Sequence, residues 1–439
     1  MQTTNYVADP GRIADLARRI REGELSPADL VRGCLDRMKV TEPVVEAWRE
    51  VCADTVLAEA EQRAKEVEDG LVRGPLHGIP VGIKDIIDVA GVPTRCNSSS
   101  RADAAPATAD AEIVSALRAA GAVILGKTHT TEFAYFDPAP TRNPHNPEHT
   151  PGGSSSGSAA AVAAGEVPLS LGTQTMGSVN RPAAYCGIAA FKPSTHLLST
   201  FGVAPLSPLW DTVGFFGWSV EDACTAFSAI CPPFARRVAS SVPEGECRIA
   251  VLEDPLTEDA SKDVSRALAA AAKALAGSGH AVEPMSASVS FSRLLELHSL
   301  TLEYEIGRIY RGFLELPEGQ IGTKLLEAIR RGLDFSDDAY GDARREIHEL
   351  RNRFFQSHAD CDAFLFPAAP APAPKGLAST GDPRYIAPWT SLGGPIVTVT
   401  VDTADNGLPI GCLLAGHPGS DATFAVLACR LAAPIERVR

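Results

Sequence analysis

Apolar residues first recur at helical spacing at Leu30, Val31, Cys34, Leu35 and Met38, just after Ser26 and Pro27. Ser26 suits the N-cap, Pro27 the first helical position, and Asp29 the positive end of the helix dipole, so a helix is predicted from residue 27. A second stretch with the same periodicity covers Val56–Val67. The pattern then changes. Ile79–Ile83 is short, apolar and partly β-branched, which predicts a buried strand. Asp110 to Ala119 reads as a helix that opens on acids and stops at Gly121, and Ala122–Leu125 follows as a strand. Farther on, Phe364–Phe366 reads as a strand ahead of the extended loop PAAPAPAP, and Ile396–Val401 and Leu408–Ala415 as two strands joined by a turn at Asp405–Gly407. Helices alternating with short apolar runs predict an α/β fold with a largely parallel or mixed sheet. Residues 255–360 are more helical and more charged, as a covering layer would be.

One stretch breaks the pattern. Residues 136–158, FDPAPTRNPHNPEHTPGGSSSGS, hold few periodic apolar positions and many turn formers. A helix, Ala159–Ala164, is predicted directly after the Gly/Ser tract. Such a tract suits a flexible linker, or a loop whose backbone N–H groups gather at a helix start as a local anion-friendly site. Both readings stand at this level.

Composition narrows the class. The chain has 439 residues, 45% of them hydrophobic and 21% charged, with a formal net charge of −14. Those values suit a globular protein able to bury a large core. An acidic chain with no basic block disfavours nonspecific binding to nucleic acid or to anionic membranes. No apolar run is long enough to span a bilayer, and the first residues carry no secretory pattern. The ten cysteines are scattered, without a C-x-x-C pair or metal-ligand spacing, and read as reduced thiols. The expectation is a cytoplasmic protein with neither nucleic acid nor membrane as partner.

Three segments carry candidate chemistry: GIPVGIKD with Lys84, PGGSSSGSAAA with Ser154 and Ser155, and GTQTMGSVNRP with Gln174, Thr175, Met176, Gly177, Ser178, Asn180 and Arg181. Lys84 ends an apolar run. It could act as a base only if burial freed its lone pair, because an ordinary lysine has a pKa near ~10.4. Ser178 sits in a glycine-containing turn whose successive N–H groups could converge on one oxygen.

Order and spacing tie these segments together. The sequence closely resembles the amidase signature family, whose hallmark is a lysine after G-I-P-x-x-x-K, then G-G-S-S-x-G-S, then a serine 24 residues beyond the first serine of that tract, here Ser154 and Ser178. The likeness continues through Ala183–Gly187, Phe191–Pro193, Asp382–Tyr385 and Gly407–Gly411. It implies one large domain over 1–439, with a central twisted mixed β-sheet covered by helices on both faces and an N-terminal helical segment of about 1–70. It also implies an amidase that cleaves a C–N bond through an acyl-enzyme. In that scheme Ser178 is the nucleophile, Ser154, on a cis peptide bond, is the bridging serine, and Lys84 is the base. The oxyanion would be held by the backbone N–H groups of Thr175, Met176, Gly177 and Ser178, and Ser155 would support the loop. The resemblance implies no cofactor and no metal, and family analogy alone suggests a homodimer.

Several positions depart from the common T-D-T-G-G-S-I-R-x-P form. Gln174 and Asn180 replace an acid and an arginine together, so a neutral amide pair is expected where an ion pair would stand. Arg181 is displaced by one position, as in malonamidase-like members, where it binds a substrate carboxylate; the alternative is a salt bridge to a structural acid. Met176 replaces glycine. Its thioether is expected to narrow the acyl pocket, with added strain if the backbone needs a positive φ. Met176, Arg181 and Gln174 are therefore the expected substrate-binding residues, and the Leu300–Phe313 region and the 136–150 loop the expected entrance. The substrate is expected to be a small amide or a carbamate, such as an anilide, which includes a urethanase or aryl acylamidase. Less favoured readings are an amidotransferase component that works within a complex on aminoacyl-tRNA, and an inert binding protein. An alkaline pH optimum is expected, because Lys84 must be neutral.

Overall fold

The computed structural model describes residues 5–232 and 245–436. Residues 1–4, 233–244 and 437–439 of the expected 1–439 span lie outside the described residues.

Among the described residues, eleven strands form one mixed sheet: β1 (Trp48–Val51), β2 (Pro80–Lys84), β3 (Val123–Thr128), β4 (Leu169–Gln174), β5 (Ala189–Lys192), β6 (Thr212–Gly217), β7 (Arg248–Glu253), β8 (Ala281–Ser286), β9 (Ala363–Pro367), β10 (Ile396–Thr403) and β11 (Pro409–Ala415). Their order is β1-β3-β2-β4-β6-β5-β10-β11-β9-β7-β8. β2 runs parallel to both β3 and β4, and β7 to both β8 and β9, while β4–β6, β5–β6, β5–β10 and β10–β11 are antiparallel.

Successive side chains of a strand leave on opposite faces, and the core divides accordingly. Ile124, Phe191 and Phe215 join one apolar cluster, while their neighbours Val123, Leu125, Ala190 and Phe216 join another. The second cluster is completed by the helices Pro27–Val45, Ala53–Glu68 and Ser156–Ala163, and the first by Phe291–Ile309, Asp337–Ser357 and Asp421–Glu436. The α/β sheet covered by helices on both faces is thus observed.

Local signals located several elements. The Ser26 hydroxyl caps its helix by accepting from Ala28 N at 3.2 Å. The predicted strand at Ile79–Ile83 is β2, buried at every position. Three expectations need adjustment. The helix predicted at Ala159–Ala164 begins earlier, at Ser156, because Ser156 Oγ bonds back to Gly152 O at 2.7 Å and the serines enter the first turn. The predicted covering layer 255–360 also contains β8, an edge strand whose side chains are largely exposed and which therefore lacks a buried-strand pattern. Near the N-terminus, the helix Ile13–Arg21 falls in the expected helical segment of about 1–70, but β1 interrupts that segment. No helix among the described residues is long and apolar enough to cross a membrane, and none of the ten cysteines is in a disulfide.

Candidate active site

The parallel pairing of β2 with β4 brings the end of one strand beside the end of the other. Lys84, the last residue of β2, is wholly buried. Its Nζ lies 2.8 Å from Ser154 Oγ, 2.8 Å from Thr173 Oγ1 and 3.5 Å from Thr173 O. No described carboxylate forms an ion pair with it. Burial without a counter-ion disfavours the ammonium and lowers its pKa to about 7.

The Gly/Ser tract is not a linker. Every residue from 151 to 158 is buried. Ser155 Oγ donates to Thr173 O at 3.2 Å and accepts from Thr173 N at 3.3 Å, and Ser158 Oγ donates to Leu171 O at 2.8 Å. These bonds lace the loop to β4. The Gly153–Ser154 peptide is cis. Gly152 has φ +85°, and a Cβ there would lie 2.8 Å from Pro182 Cα, so only glycine fits between the loop and the helix Asn180–Cys186.

Residues 175–178 form the turn between β4 and that helix. Its carbonyls and side chains are held on several sides. Thr390 Oγ1 donates to Met176 O at 2.7 Å, Arg181 N to Gly177 O at 3.0 Å, and Thr175 Oγ1 to Asp211 Oδ1 at 2.5 Å. Among the described residues, none accepts a hydrogen bond from the N–H of Thr175, Met176, Gly177 or Ser178. Four successive uncommitted donors on a fixed turn are what a developing oxyanion needs. Ser155 N donates to Ser178 O at 3.4 Å, which puts the two loops edge to edge. Ser178 is 8% exposed, and its hydroxyl bonds to no described residue, Ser154 included. Of the expected relay, then, the lysine–serine contact is closed and the serine–serine contact is open. Hydrogen bonds in unliganded sites are often long and tighten on the substrate.

Above Ser178 lies a narrow cavity, about 20 Å³, lined by Tyr135, Phe136, Met176, Leu206, Leu302 and Pro383, with Arg181 at its wall. Phe136 and Leu302 thus come from the two segments expected at the entrance. Met176 does project here, but its φ is not positive, so the strain considered for a non-glycine residue is absent.

The remaining departures sit differently from expectation. Gln174 is fully buried behind the turn and does not line the cavity. Nor does it pair with the Asn180 side chain. Its Oε1 accepts from Val179 N and Asn180 N at 2.9 and 3.0 Å, and its Nε2 donates to Thr390 Oγ1 at 3.1 Å. Asn180 turns to Thr398, donating to Oγ1 at 3.0 Å. The two amides replace an ion pair by bonding separately to the backbone and to threonines. Arg181, 2% exposed, forms no ion pair with a described acid. Its Nη1 donates to Gly381 O at 3.0 Å, and its Nη2 to Gly153 O at 2.7 Å and to Thr380 Oγ1 at 3.1 Å, while its Nε has no partner. Burial lowers this guanidinium to about 10.

Sequence reasoning missed Thr173, Thr390 and Asp211. An acid opening the apolar run TVGFF was the only local sign of Asp211. Among the described residues, no group of three or more His, Cys, Asp or Glu side chains is placed to hold a metal.

Known proteins resemble this chain in sequence and fold. Residues 29–424 match the family described as Amidase. The A-type subunit of glutamyl-tRNA(Gln) amidotransferase from Rhodopirellula baltica is 30% identical over 91% of this chain and 92% of its own. A solved amidase superposes with a TM-score of 0.86 at 29% identity, covering 97% of this chain and 100% of the other. A chain from a complex that bears on the origins of an s-triazine catabolic enzyme superposes with a TM-score of 0.87 at 26% identity, covering 97% and 98%.

Proposed function

Because the chain belongs to the amidase family, whose members hydrolyse amide C–N bonds, we propose that it does so with Ser178 as nucleophile, Ser154 as bridging serine and Lys84 as base. The observation that supports this most strongly is the buried Lys84 amine, without an ion-pair partner and 2.8 Å from Ser154 Oγ. Neutral Lys84 takes the Ser154 proton as Ser154 takes that of Ser178. Ser178 Oγ bonds to the carbonyl carbon, and the oxyanion is held by the N–H groups of residues 175–178. The proton then passes back through Ser154 to the leaving nitrogen, the C–N bond breaks, and the amine departs. Water attacks the acyl-Ser178 ester by the same relay and releases the acid. Ser155 supports the loop through its two bonds to Thr173.

The substrate we infer is a compact amide or carbamate whose group next to the carbonyl is apolar. The cavity supports this, since its walls are mostly aromatic and aliphatic. Two tests separate the parts of this reading. A fluorophosphonate should label Ser178, as located by peptide mass mapping, and label no Ser178→Ala protein; labelling elsewhere rejects the nucleophile. A panel of malonamate, an anilide, a nitroaryl amide and an aryl carbamate should show faster turnover of the three neutral compounds. Met176→Gly should widen acceptance towards bulkier acyl groups. Preference for malonamate would instead support the likeness to malonamidase-like members.

The 30% identity to a component of an amidotransferase favours a second reading, in which the chain is the amide-cleaving part of such a complex. Gel filtration of the purified chain, with ammonia release from glutamine measured on the same fractions, separates the two. Turnover of aryl amides by the chain alone supports the first reading. Glutamine hydrolysis that emerges only with partner chains supports the second.

A further inference from the structure

Asp211 lies immediately before β6, whose first residue, Thr212, pairs with Gln174 at the end of β4. That register sets the Asp211 carboxylate against the start of the 175–178 turn. The residue is 7% exposed, and its carboxylate accepts from three donors. Leu206 N and Ser207 N reach Oδ2 at 2.8 and 3.0 Å, and Thr175 Oγ1 reaches Oδ1 at 2.5 Å. No cation lies within ion-pair range among the described residues. A carboxylate needed only to close the loop from 206 to 211 would be served by the two backbone donors. The third bond reaches out of that loop to Thr175, whose own N–H is one of the uncommitted donors beside Ser178. Thr173, two residues earlier and within β4, holds Lys84 Nζ at 2.8 Å. The end of β4 and the turn that follows it therefore touch the base through Thr173 and Asp211 through Thr175.

We propose that Asp211 is a positioning residue of the hydrolysis, holding the turn that carries Ser178 through Thr175 and acting on Lys84 as the nearby negative charge. The inference rests on the reading of Lys84 and Ser178 given above. Electrostatics agree with the geometry. Asp211 and Cys96 are the groups that act on Lys84 through charge, both favouring the ammonium, while Glu305 acts on Asp211, and the Tyr310 phenol feels both Asp211 and Cys96. Burial pushes the Cys96 thiol up to about 12, so it is uncharged near neutrality. Burial raises Asp211 only to about 6, because its three hydrogen bonds oppose the rise, so it is ionised above that pH. Asp211 is thus the charged neighbour of Lys84 in the working range.

The test uses the full chain with a compact nitroanilide. Asp211→Asn keeps the shape and removes the charge. Its kcat should fall on the order of tenfold or more, with KM little changed. The acid limb of its pH profile should move down by on the order of one unit, because losing the charge makes Lys84 easier to deprotonate. Thr175→Val should lower kcat without moving that limb, Thr175→Ser should restore it, and the losses from Asp211→Asn and Thr175→Val should not add. Wild-type kcat in Asp211→Asn overturns the inference, as does a loss with an unmoved limb and simple additivity. If Asp211→Asn does not fold, the Thr175 pair decides, and a Thr175→Val enzyme as fast as wild type overturns it. A Ser178→Ala control separates the two levels. If Ser178→Ala is inert while Asp211→Asn is unaffected, only this inference fails; if Ser178→Ala turns over, the reading beneath it fails too.

Discussion

The Arg181 guanidinium donates to the carbonyl of Gly153 across 2.7 Å, gripping the peptide that leads into Ser154. Its other bonds, to Thr380 and Gly381, draw the segment that carries Pro383 onto the same side chain. An arginine so engaged holds two walls of the site together.

Replacing Arg181 with Ala should therefore slow neutral and carboxylate-bearing amides alike. We expect kcat to fall on the order of tenfold or more, with KM little altered, since loosening the Ser154 loop misplaces the relay. Steady-state kinetics on malonamate and an anilide check this. A loss confined to malonamate would restore the carboxylate anchor considered from the sequence.

The buried lysine sets the pH dependence. A lysine with a pKa of about 7 is protonated and unable to act as a base below that value and neutral above it. The kcat/KM profile should accordingly rise through about pH 7 and level off near pH 8, well short of the alkaline optimum that an ordinary lysine would impose. Lys84→Met should lower the plateau by about 10²–10⁴-fold and abolish the rise.

The two adjacent serines should behave differently. Ser154 touches Lys84, whereas the Ser155 hydroxyl, among the described residues, bonds only to the Thr173 backbone. Ser155→Ala should cost about 1 kcal/mol per lost hydrogen bond in stability, seen as a lower Tm, and only part of the activity. Ser154→Ala should cost far more activity at similar stability. Reversed losses would contradict the assignment of the bridging serine.

Away from the site, Glu166 is buried between the Thr41 hydroxyl and Trp48 Nε1 and faces Glu42. Burial foremost, and then the neighbouring carboxylate, raise its pKa above the ordinary carboxylate range. The folded state therefore holds a proton that the unfolded state releases, and stability declines as pH climbs from the ordinary carboxylate value to the raised one. Glu166→Gln keeps both hydrogen-bonding positions without the charge. Thermal unfolding at pH 5 and pH 9 should show a smaller decline for the variant, and equal declines would reject this.

Contiguous chemistry was legible in the chain itself. The apolar run before Lys84, the cap at Ser26 and the turn formers around Ser154 and Ser178 act over a few residues, so their spacing is their signal. A buried strand such as β2 also announces itself, because burial on both faces leaves no polar position. Contacts between distant segments carry no such mark. Only the fold shows that Lys84 is sealed without a counter-ion, that Arg181 grips Gly153, that Gln174 turns away from the cleft, and that Asp211 reaches Thr175 through the β4–β6 register. The physical reason is that desolvation and hydrogen-bond geometry belong to the packed state: which side chain loses water, and which donor is left without an acceptor, depends on segments that meet only once the sheet has formed.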